Sequence, residues 1–268
     1  MLKYDKRIVM FLLIIVLTTF SFQTSLAAEK KKDKEKEFSV PKNVLSISKT
    51  NTFPNITEDV EIIEPSKDTK GLLDAAKPSI HNPDLISLLN ETSIKPSPIG
   101  FGYRAFIYLG RWPLQYQSEE TSVIWDYQSI NKNELVNVDA DEVQELTYNQ
   151  KEEQEIKGAL TNKTSDSTMV KQMMLETSKK ETKLPLSFST VIGKNTKLDN
   201  IYHVPQDKTG SLHAYAPAVN EKGKVIFGEV YVKLKGSNKE IEIRNVTKQG
   251  IGAWIPIQDH VSFSFQLK

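Results

Sequence analysis

The sequence from Ile99 to Ile130 reads IGFGYRAFIYLGRWPLQYQSEETSVIWDYQSI, and its composition differs from that of the rest of the chain. Eight of the 23 aromatic residues of the protein lie in this stretch, together with two of its four arginines. Apolar and aromatic side chains occupy both odd and even positions from 103 to 109, as in a strand that is covered on both faces. We predict a central β-hairpin here, with the polar segment from Pro113 to Glu120 as its turn.

The predicted hairpin implies one ion pair and one group of exposed aromatic residues. A turn in the middle of the stretch places Arg104 opposite Asp126, and a carboxylate beside a guanidinium forms a charge-assisted hydrogen bond. We interpret this pair as structural rather than catalytic, because ion pairs within sheets are common. Packing in the core is the ordinary role of large aromatic side chains. The aromatics that we nevertheless predict to face a ligand are Trp112, Trp125 and Tyr127.

Three runs of sequence resemble a known family. They are GFGYRAFIYLGRWPL from Gly100, VIWDYQ from Val123 and GAWIPIQDHVSFSFQ from Gly252. These runs are similar to those of the YfkD-like family of secreted proteins from Bacillus relatives, and the resemblance extends over the whole chain. It implies a location in the envelope of a Gram-positive cell. It supplies no catalytic residues, because no activity is assigned to that family.

The first 27 residues have the organisation of a cleavable secretory signal peptide. Three basic residues precede an apolar, uncharged run from Ile8 to Phe22. The small-x-small pattern at residues 25–27 then predicts cleavage between Ala27 and Ala28. A membrane-spanning helix needs about 20 apolar residues, which is more than this run provides. We therefore expect export, with no stable transmembrane segment after cleavage.

The cysteine content and the charge exclude several classes of protein. Because the chain contains no cysteine, it can form no disulfide, no thiolate metal site and no acylated lipoprotein anchor. Without residues 1–27 the chain keeps 32 basic and 33 acidic residues. A nearly neutral chain of this kind gives no reason to expect a nucleic-acid partner.

Composition divides the remaining chain into three parts. Residues 28–37 contain the charged run EKKKDKEKE and predict a disordered tether. Residues 38–98 hold seven of the twelve prolines, which favours short helices such as one beginning at Asn82-Pro83. Residues 99–268 form the predicted main domain.

The pattern after the hairpin indicates helices followed by strands. Composition favours a helix over residues 138–160, although its apolar stripe is thin. A second helix is predicted over residues 166–180, where we expect three methionines in the core rather than at a partner surface. Alternation from Leu184 onward predicts an antiparallel meander with a turn at residues 235–238. The predicted fold class is α+β, with helices segregated between the central hairpin and the C-terminal meander.

No motif in the sequence predicts a catalytic or metal site. The Lys208-Thr209-Gly210 triplet and a few Ser-x-x-Lys matches are shared with acyl-serine enzymes, but a chain this rich in serine and lysine produces them by chance. The spacing of His203 and His213 matches no common zinc motif. We therefore predict no catalytic residues, no metal and no cofactor.

Two functions are compatible with these observations. We favour a non-catalytic binding or accessory module of the cell envelope, which presents loops and aromatics to a wall polymer or an envelope protein. The alternative is a secreted hydrolase of wall glycan or peptide, with Asp126, Glu119 or His213 as the residues to test. A cleft that gathers two carboxylates favours the hydrolase, whereas an exposed apolar patch on a smooth sheet favours the binding module.

Overall fold

The computed structural model describes residues 38–56, 63–92, 94–96, 104–138 and 141–268. Contacts between residues divide the chain into two units, Met1–Lys36 and Glu37–Lys268, and every described residue belongs to the second unit. The predicted signal peptide, its cleavage point between Ala27 and Ala28 and the predicted tether lie outside the described residues.

The described residues form three helices and ten strands. The helices are α1 (Lys67–Ala75), α2 (Pro83–Glu91) and α3 (Ser167–Thr182). The strands are β1 (Val44–Ser46), β2 (Arg104–Asn137), β3 (Gln144–Asn149), β4 (Gln154–Lys157), β5 (Ala159–Leu160), β6 (Ser189–Ile192), β7 (Lys197–Val204), β8 (Lys208–Lys235), β9 (Asn238–Pro256) and β10 (His260–Leu267). Every strand pair among the described residues is antiparallel, so the predicted α+β class is confirmed.

The predicted central hairpin is wrong. Residues 104–137 form one strand, β2, which pairs with β8 from end to end. The segment predicted as the turn, Pro113–Glu120, lies inside this strand. Its polar residues suit a strand because two of its glutamates reach solvent and form ion pairs with lysines of β8. These pairs are Glu119 with Lys224 and Glu120 with Lys222.

Five irregularities interrupt the pairing of β2 with β8. The register shifts occur at Tyr108/Gly110, Pro113/Gln115, Ser118/Glu120, Ile124/Gln128 and Ser129/Asn131. A bulge inserts an extra residue in one strand, which increases the local twist and changes the face on which the following side chains lie. Simple period-two alternation therefore fails to predict the orientation of side chains along β2.

The central strand of the main sheet is β8. β2 pairs with one side of it, while β9 and β10 pair with the other side, along separate halves of the strand. β1 and β5 extend the sheet by pairing with β10 and β9. The predicted turn after β8 is confirmed, since Lys235 pairs with Asn238 at the start of β9, and Gly236 between them has φ of 57°.

Three hydrophobic clusters lie along this sheet. The distal core, where β2 begins and β8 ends, packs α2 against buried residues such as Leu114 and Val232. The central core packs α3 against β8 and β9 through residues such as Val225 and Ile255. The proximal core lies where β2 ends and β8 begins. It joins the two small sheets, β3 with β7 and β4 with β6, to the main sheet. Each core therefore uses a different part of the same long strands.

Two of the predicted helices are confirmed. The side chain of Asn82 caps α2 by accepting a hydrogen bond from the backbone NH of Leu85 at 3.0 Å, and Pro83 occupies the first turn, as predicted. The three methionines of α3 are at most 4% exposed and belong to the central core. They are therefore core residues, as predicted.

The helix predicted over residues 138–160 is wrong. The described residues of this segment form β3, β4 and β5. Leu146 and Tyr148 alternate along β3 and are both buried, while β3 pairs with β7 about fifty residues later in the chain. Composition favours a helix here, but the long-range pairing overrides that weak local preference.

The side chain of Asn82 makes two hydrogen bonds from a fully buried position. Besides capping α2, its amide NH2 donates to the carbonyl of Pro113 on β2 at 2.7 Å. We expect Asn82→Ala to lower the free energy of unfolding by about 2–3 kcal/mol in urea titrations, because the cap is lost and a buried carbonyl is left unpaired. The control Ser66→Ala removes the exposed cap of α1 and should cost about 1 kcal/mol or less. Equal losses would contradict a linking role for Asn82.

Gly223→Ala tests whether the middle of β2 lies against β8. A Cβ at residue 223 would be 2.2 Å from the carbonyl oxygen of Gln117 and 2.5 Å from the hydroxyl of Tyr116. Because a backbone atom is involved, we expect a loss of about 3 kcal/mol in the free energy of unfolding. The control Gly250→Ala on β9 meets no atom within 4 Å and should change stability by less than about 1 kcal/mol. Two equally stable variants would argue that a turn, not a continuous strand, occupies this region.

Candidate functional site

The predicted ion pair between Arg104 and Asp126 is not formed. Both residues are exposed on β2, with Arg104 at its first position and Asp126 inside the bulge between Ile124 and Gln128. Residues of one extended strand do not lie opposite each other, so the pair disappears together with the hairpin.

The three aromatics predicted to face a ligand are all half-buried. Trp112 packs against the distal core and donates its indole NH to the carbonyl of Leu109 at 2.9 Å. Trp125 packs against the central core. Tyr127 packs against the proximal core and stacks on Trp254, with 5.1 Å between ring centroids. These rings are thus distributed over three cores rather than collected at one surface.

The residues suggested for a hydrolase lie at separate positions along the β2–β8 pair. Glu119 forms an ion pair with Lys224, Asp126 occupies its bulge, and His213 is on β8 opposite Lys132. Among the residues that the structure describes, no three His, Cys, Asp or Glu side chains are placed to hold a metal ion.

A different surface, at the distal end of the main sheet, carries exposed aromatics. In β2 the odd side chains Ala105 and Ile107 pack against the distal core, as predicted for a covered face. On the opposite face Phe106 is 47% exposed and Tyr108 is 55% exposed, so the expectation that both faces are covered is wrong. This aromatic face consists of Arg104, Phe106, Tyr108, Arg111, Glu229, Tyr231, Lys233, Lys235, Glu240, Glu242 and Arg244.

The strand register arranges the aromatic face in four rows across the sheet. The rows are Arg104–Lys235, Phe106–Lys233–Glu240, Tyr108–Tyr231–Glu242 and Arg111–Glu229–Arg244. Between the third and fourth rows, β2 contains a bulge at Tyr108/Gly110, where Gly110 has φ of 114°. The extra residue keeps Arg111 on the same face as Tyr108. Without this bulge the regular alternation would turn Arg111 toward the core.

The rings of the aromatic face are held in place by each other and by Arg244. The rings of Tyr108 and Tyr231 lie 5.0 Å apart. The guanidinium carbon of Arg244 lies 4.7 Å from the centroids of both Phe106 and Tyr231, which is within the range of cation–π attraction. Three strands therefore contribute to one preorganised cluster.

The acidic side chains of this face are already engaged. Lys233 lies 2.6 Å from Glu240, and Arg244 lies 2.6 Å from Glu242. The hydrogen bond to Glu240 raises the pKa of Lys233, and the hydrogen bond from Arg244 lowers the pKa of Glu242. Both shifts favour the charged forms, so these pairs remain ionised near neutral pH.

Glu229 is held by neutral donors. It accepts hydrogen bonds from the hydroxyl of Tyr231 at 3.2 Å and from the side-chain amide of Asn245 at 2.8 Å. Partial burial, and then the hydrogen bond to Glu229, raise the pKa of Tyr231, so its hydroxyl keeps its proton and remains a donor. The third carboxylate of the face is therefore also satisfied within the fold.

A second polar cluster surrounds Glu221, which is fully buried under α3. Its carboxylate accepts hydrogen bonds from Tyr116 at 2.7 Å, Thr121 at 2.6 Å and Ser178 at 3.2 Å. Burial, and then the contact with Glu221, raise the pKa of Tyr116, which keeps that hydroxyl a donor. Since Ser178 belongs to α3 and the other residues to the sheet, the cluster fastens the helix to the sheet. A carboxylate with no exposed surface is not positioned to meet a substrate.

The sequence signal for the aromatic face was present but ambiguous. The density of aromatics and the arginines at 104 and 111 pointed to the correct stretch. Arg244 and Tyr231 lie more than a hundred residues later, and no local pattern connects them with it. The exposure of Phe106 and Tyr108 depends on α2 covering one face only, which the sequence does not reveal.

Neither the helices of the described residues nor a comparison with solved structures identifies a role for the protein. Among the residues described, no helix has both the length and the apolar character required to cross a bilayer. The crystal structure of Lamprey immune protein is similar over 63% of this chain and 54% of its own length, with 9% sequence identity and a TM-score of 0.26. That likeness is too weak to indicate a shared fold.

A comparison of sequences gives a much stronger match. The chain is 50% identical over 254 residues to a protein of Bacillus subtilis (strain 168) named "Uncharacterized protein YfkD", with 95% of each chain covered. Residues 41–268 match the family described as YfkD-like protein. The chain therefore belongs to the YfkD-like protein family, as its aromatic runs predicted.

Proposed function

We propose that this protein is an extracytoplasmic, non-catalytic binding module of the bacterial cell envelope, and that its aromatic face binds a wall polymer. The observation that carries the proposal is the pair of exposed rings, Phe106 and Tyr108, on a rigid sheet. Exposed aromatics that are fixed in position commonly mark interaction sites, because their burial by a partner removes apolar area from water at little entropic cost.

The composition of the aromatic face favours a polymer over a protein partner. Eight of its eleven residues are charged, and only three are aromatic. The centres of protein–protein interfaces are depleted in charged residues and usually bury about 800 Å² on each partner. A chain of sugars, by contrast, offers flat apolar faces for the rings and polar groups for the charged side chains around them.

The location in the envelope is supported by the sequence. Basic residues, an apolar run and a small-x-small pattern at residues 25–27 predict an exported chain. Exported chains of Gram-positive cells meet the cell wall first, so a wall polymer is the partner that this location makes most abundant.

The rival function, hydrolysis of wall glycan or peptide, has weaker support. A hydrolase of glycans needs two carboxyl groups about 5–10 Å apart at an accessible position. The described residues Glu119 and Asp126 lie seven positions apart along β2, and Glu119 already has a lysine partner. Nothing in their arrangement specifically favours this function.

Cosedimentation with purified cell wall tests the proposal. We use the chain from Ala28, which contains the whole unit from Glu37 to Lys268. The parent protein should pellet with the wall without releasing soluble fragments. Tyr108→Ala and Phe106→Ala should each weaken binding about tenfold, because each removes one exposed ring from the contact.

The matched control is Phe53→Ala. Phe53 is 46% exposed, as Phe106 is 47% exposed, but it is not part of the aromatic face. This variant should bind like the parent. Equal binding by all variants would overturn the assignment of the face, and failure of the parent to pellet would overturn the wall-binding function. Release of soluble fragments would instead support the hydrolase.

A further inference from the structure

We infer that the aromatic face recognises an extended, negatively charged glycopolymer, with anionic groups bound by Arg104 and Arg111 and sugar rings lying on Phe106 and Tyr108. This inference rests on the proposed function and specifies the chemical class of its ligand. Its three supports are the unbalanced charge of the face, the way Arg111 is held and the order of these residues along β2.

The aromatic face carries more positive than negative charge. Its five basic residues outnumber its three acidic residues, although the whole chain has a net charge of only +1. The acids are engaged with Lys233, Arg244, Tyr231 and Asn245, as described above. Lys233 and Arg244 balance two of the acids, which leaves Arg104, Arg111 and Lys235 against Glu229 alone, so five basic minus three acidic residues give the face a net charge of +2.

These three basic side chains have no carboxylate partner in the part of the chain that the structure describes. No ion pair joins any of them to Asp or Glu within 4.0 Å. Arg104 and Lys235 lie opposite each other in the strand register, so two like charges are neighbours. Like charges directly opposite in a sheet are destabilising. An anion placed between them would relieve this repulsion.

Arg111 lies opposite Glu229 in the strand register but forms no ion pair with it, and its hydrogen bonds go to neutral groups. Its guanidinium donates to the carbonyl oxygen of Asn245 at 3.3 Å and to the hydroxyl of Thr247 at 2.6 Å. These two bonds use only part of its five donors. The side chain is exposed, so the remaining donors are available to a carboxylate or phosphate.

The order of residues along β2 indicates an elongated ligand. The strand presents Arg104, Phe106, Tyr108 and Arg111 in succession on one face. At about 3.3 Å per residue the two arginines are roughly 20 Å apart. One monosaccharide cannot reach both, whereas an oligomer of about four sugars can place charges at both ends and rings between them. Binding should therefore depend on both charge and chain length.

The first experiment compares walls before and after extraction of their anionic polymers. The parent chain from Ala28 should lose about tenfold or more of its affinity when these polymers are removed. The double variant Arg104→Gln, Arg111→Gln should show a similar loss on intact walls and little additional loss on extracted walls. Glutamine keeps a polar side chain at both exposed positions, and circular dichroism checks that the variant is folded.

The control variant removes two positive charges elsewhere. Lys194 and Lys197 are exposed on and beside β7 and belong to no ion pair among the described residues. Lys194→Gln with Lys197→Gln should leave wall binding unchanged. If this variant loses as much affinity as the arginine variant, attraction is non-specific and the inference is overturned.

The second experiment uses defined soluble probes. An octagalacturonate should bind, while the digalacturonate and the fully methyl-esterified octamer should bind at least about tenfold more weakly. Equal binding of the neutral octamer would overturn the charge requirement. Equal binding of single-stranded DNA, with the same dependence on Arg111, would show that the face recognises polyanions in general and would overturn recognition of a glycopolymer.

The outcomes separate this inference from the function on which it rests. If the parent binds extracted walls as tightly as intact walls, and the arginine variant binds both normally, the wall-binding module stands and the anionic ligand is overturned. If the parent binds neither kind of wall, the proposed function itself fails.

Discussion

Backbone pairing of β2 with β8 runs from Arg104 opposite Lys235 to Asn137 opposite Lys208. A two-stranded ribbon of this length is not stable alone, because it buries too little apolar surface. The chain stabilises it by adding β9 and β10 beyond β8 and by covering successive segments with α2, α3 and the two small sheets. Each cover protects one face of one segment. Consequently the opposite face of the distal segment remains in solvent.

This dependence on one long pairing explains which features of the fold were predictable. The cap at Asn82 and the turn at residues 235–238 are set by neighbouring residues and were predicted correctly. The hairpin and the helix over residues 138–160 were wrong, since β2 and β3 pair with strands far away in sequence. A polar segment such as Pro113–Glu120 is typical of a turn when read alone. Paired with β8 it is part of a strand, in which residues 113–116 are buried and Glu119 and Glu120 pair with lysines at the surface.

The same limit applies to the candidate site. The density of aromatic residues drew attention to the stretch from Ile99 to Ile130, but the rings predicted there to face a ligand, Trp112, Trp125 and Tyr127, pack against three different cores. Period-two alternation fails at the bulges, and the exposure of a ring depends on which elements cover it. For the same reason both faces of the strand at residues 103–109 were expected to be covered, including the face that carries Phe106 and Tyr108. The predicted partner of Arg104 was Asp126, which in fact lies on the same strand. The neighbour of Arg104 across the sheet is another cation, Lys235.

An exposed aromatic face on a sheet is also a hazard, because such surfaces promote association between copies of a chain. Here charged side chains alternate with the rings, and Arg244 covers part of Phe106 and Tyr231. Two identical faces would bring their excess positive charges together, so the charge that opposes self-association also favours an anionic partner. The bulge at Tyr108/Gly110 fixes this arrangement by placing Arg111 beside the rings. One local irregularity in the longest strand thus contributes both to the charge that opposes self-association and to the surface for which we propose an anionic ligand.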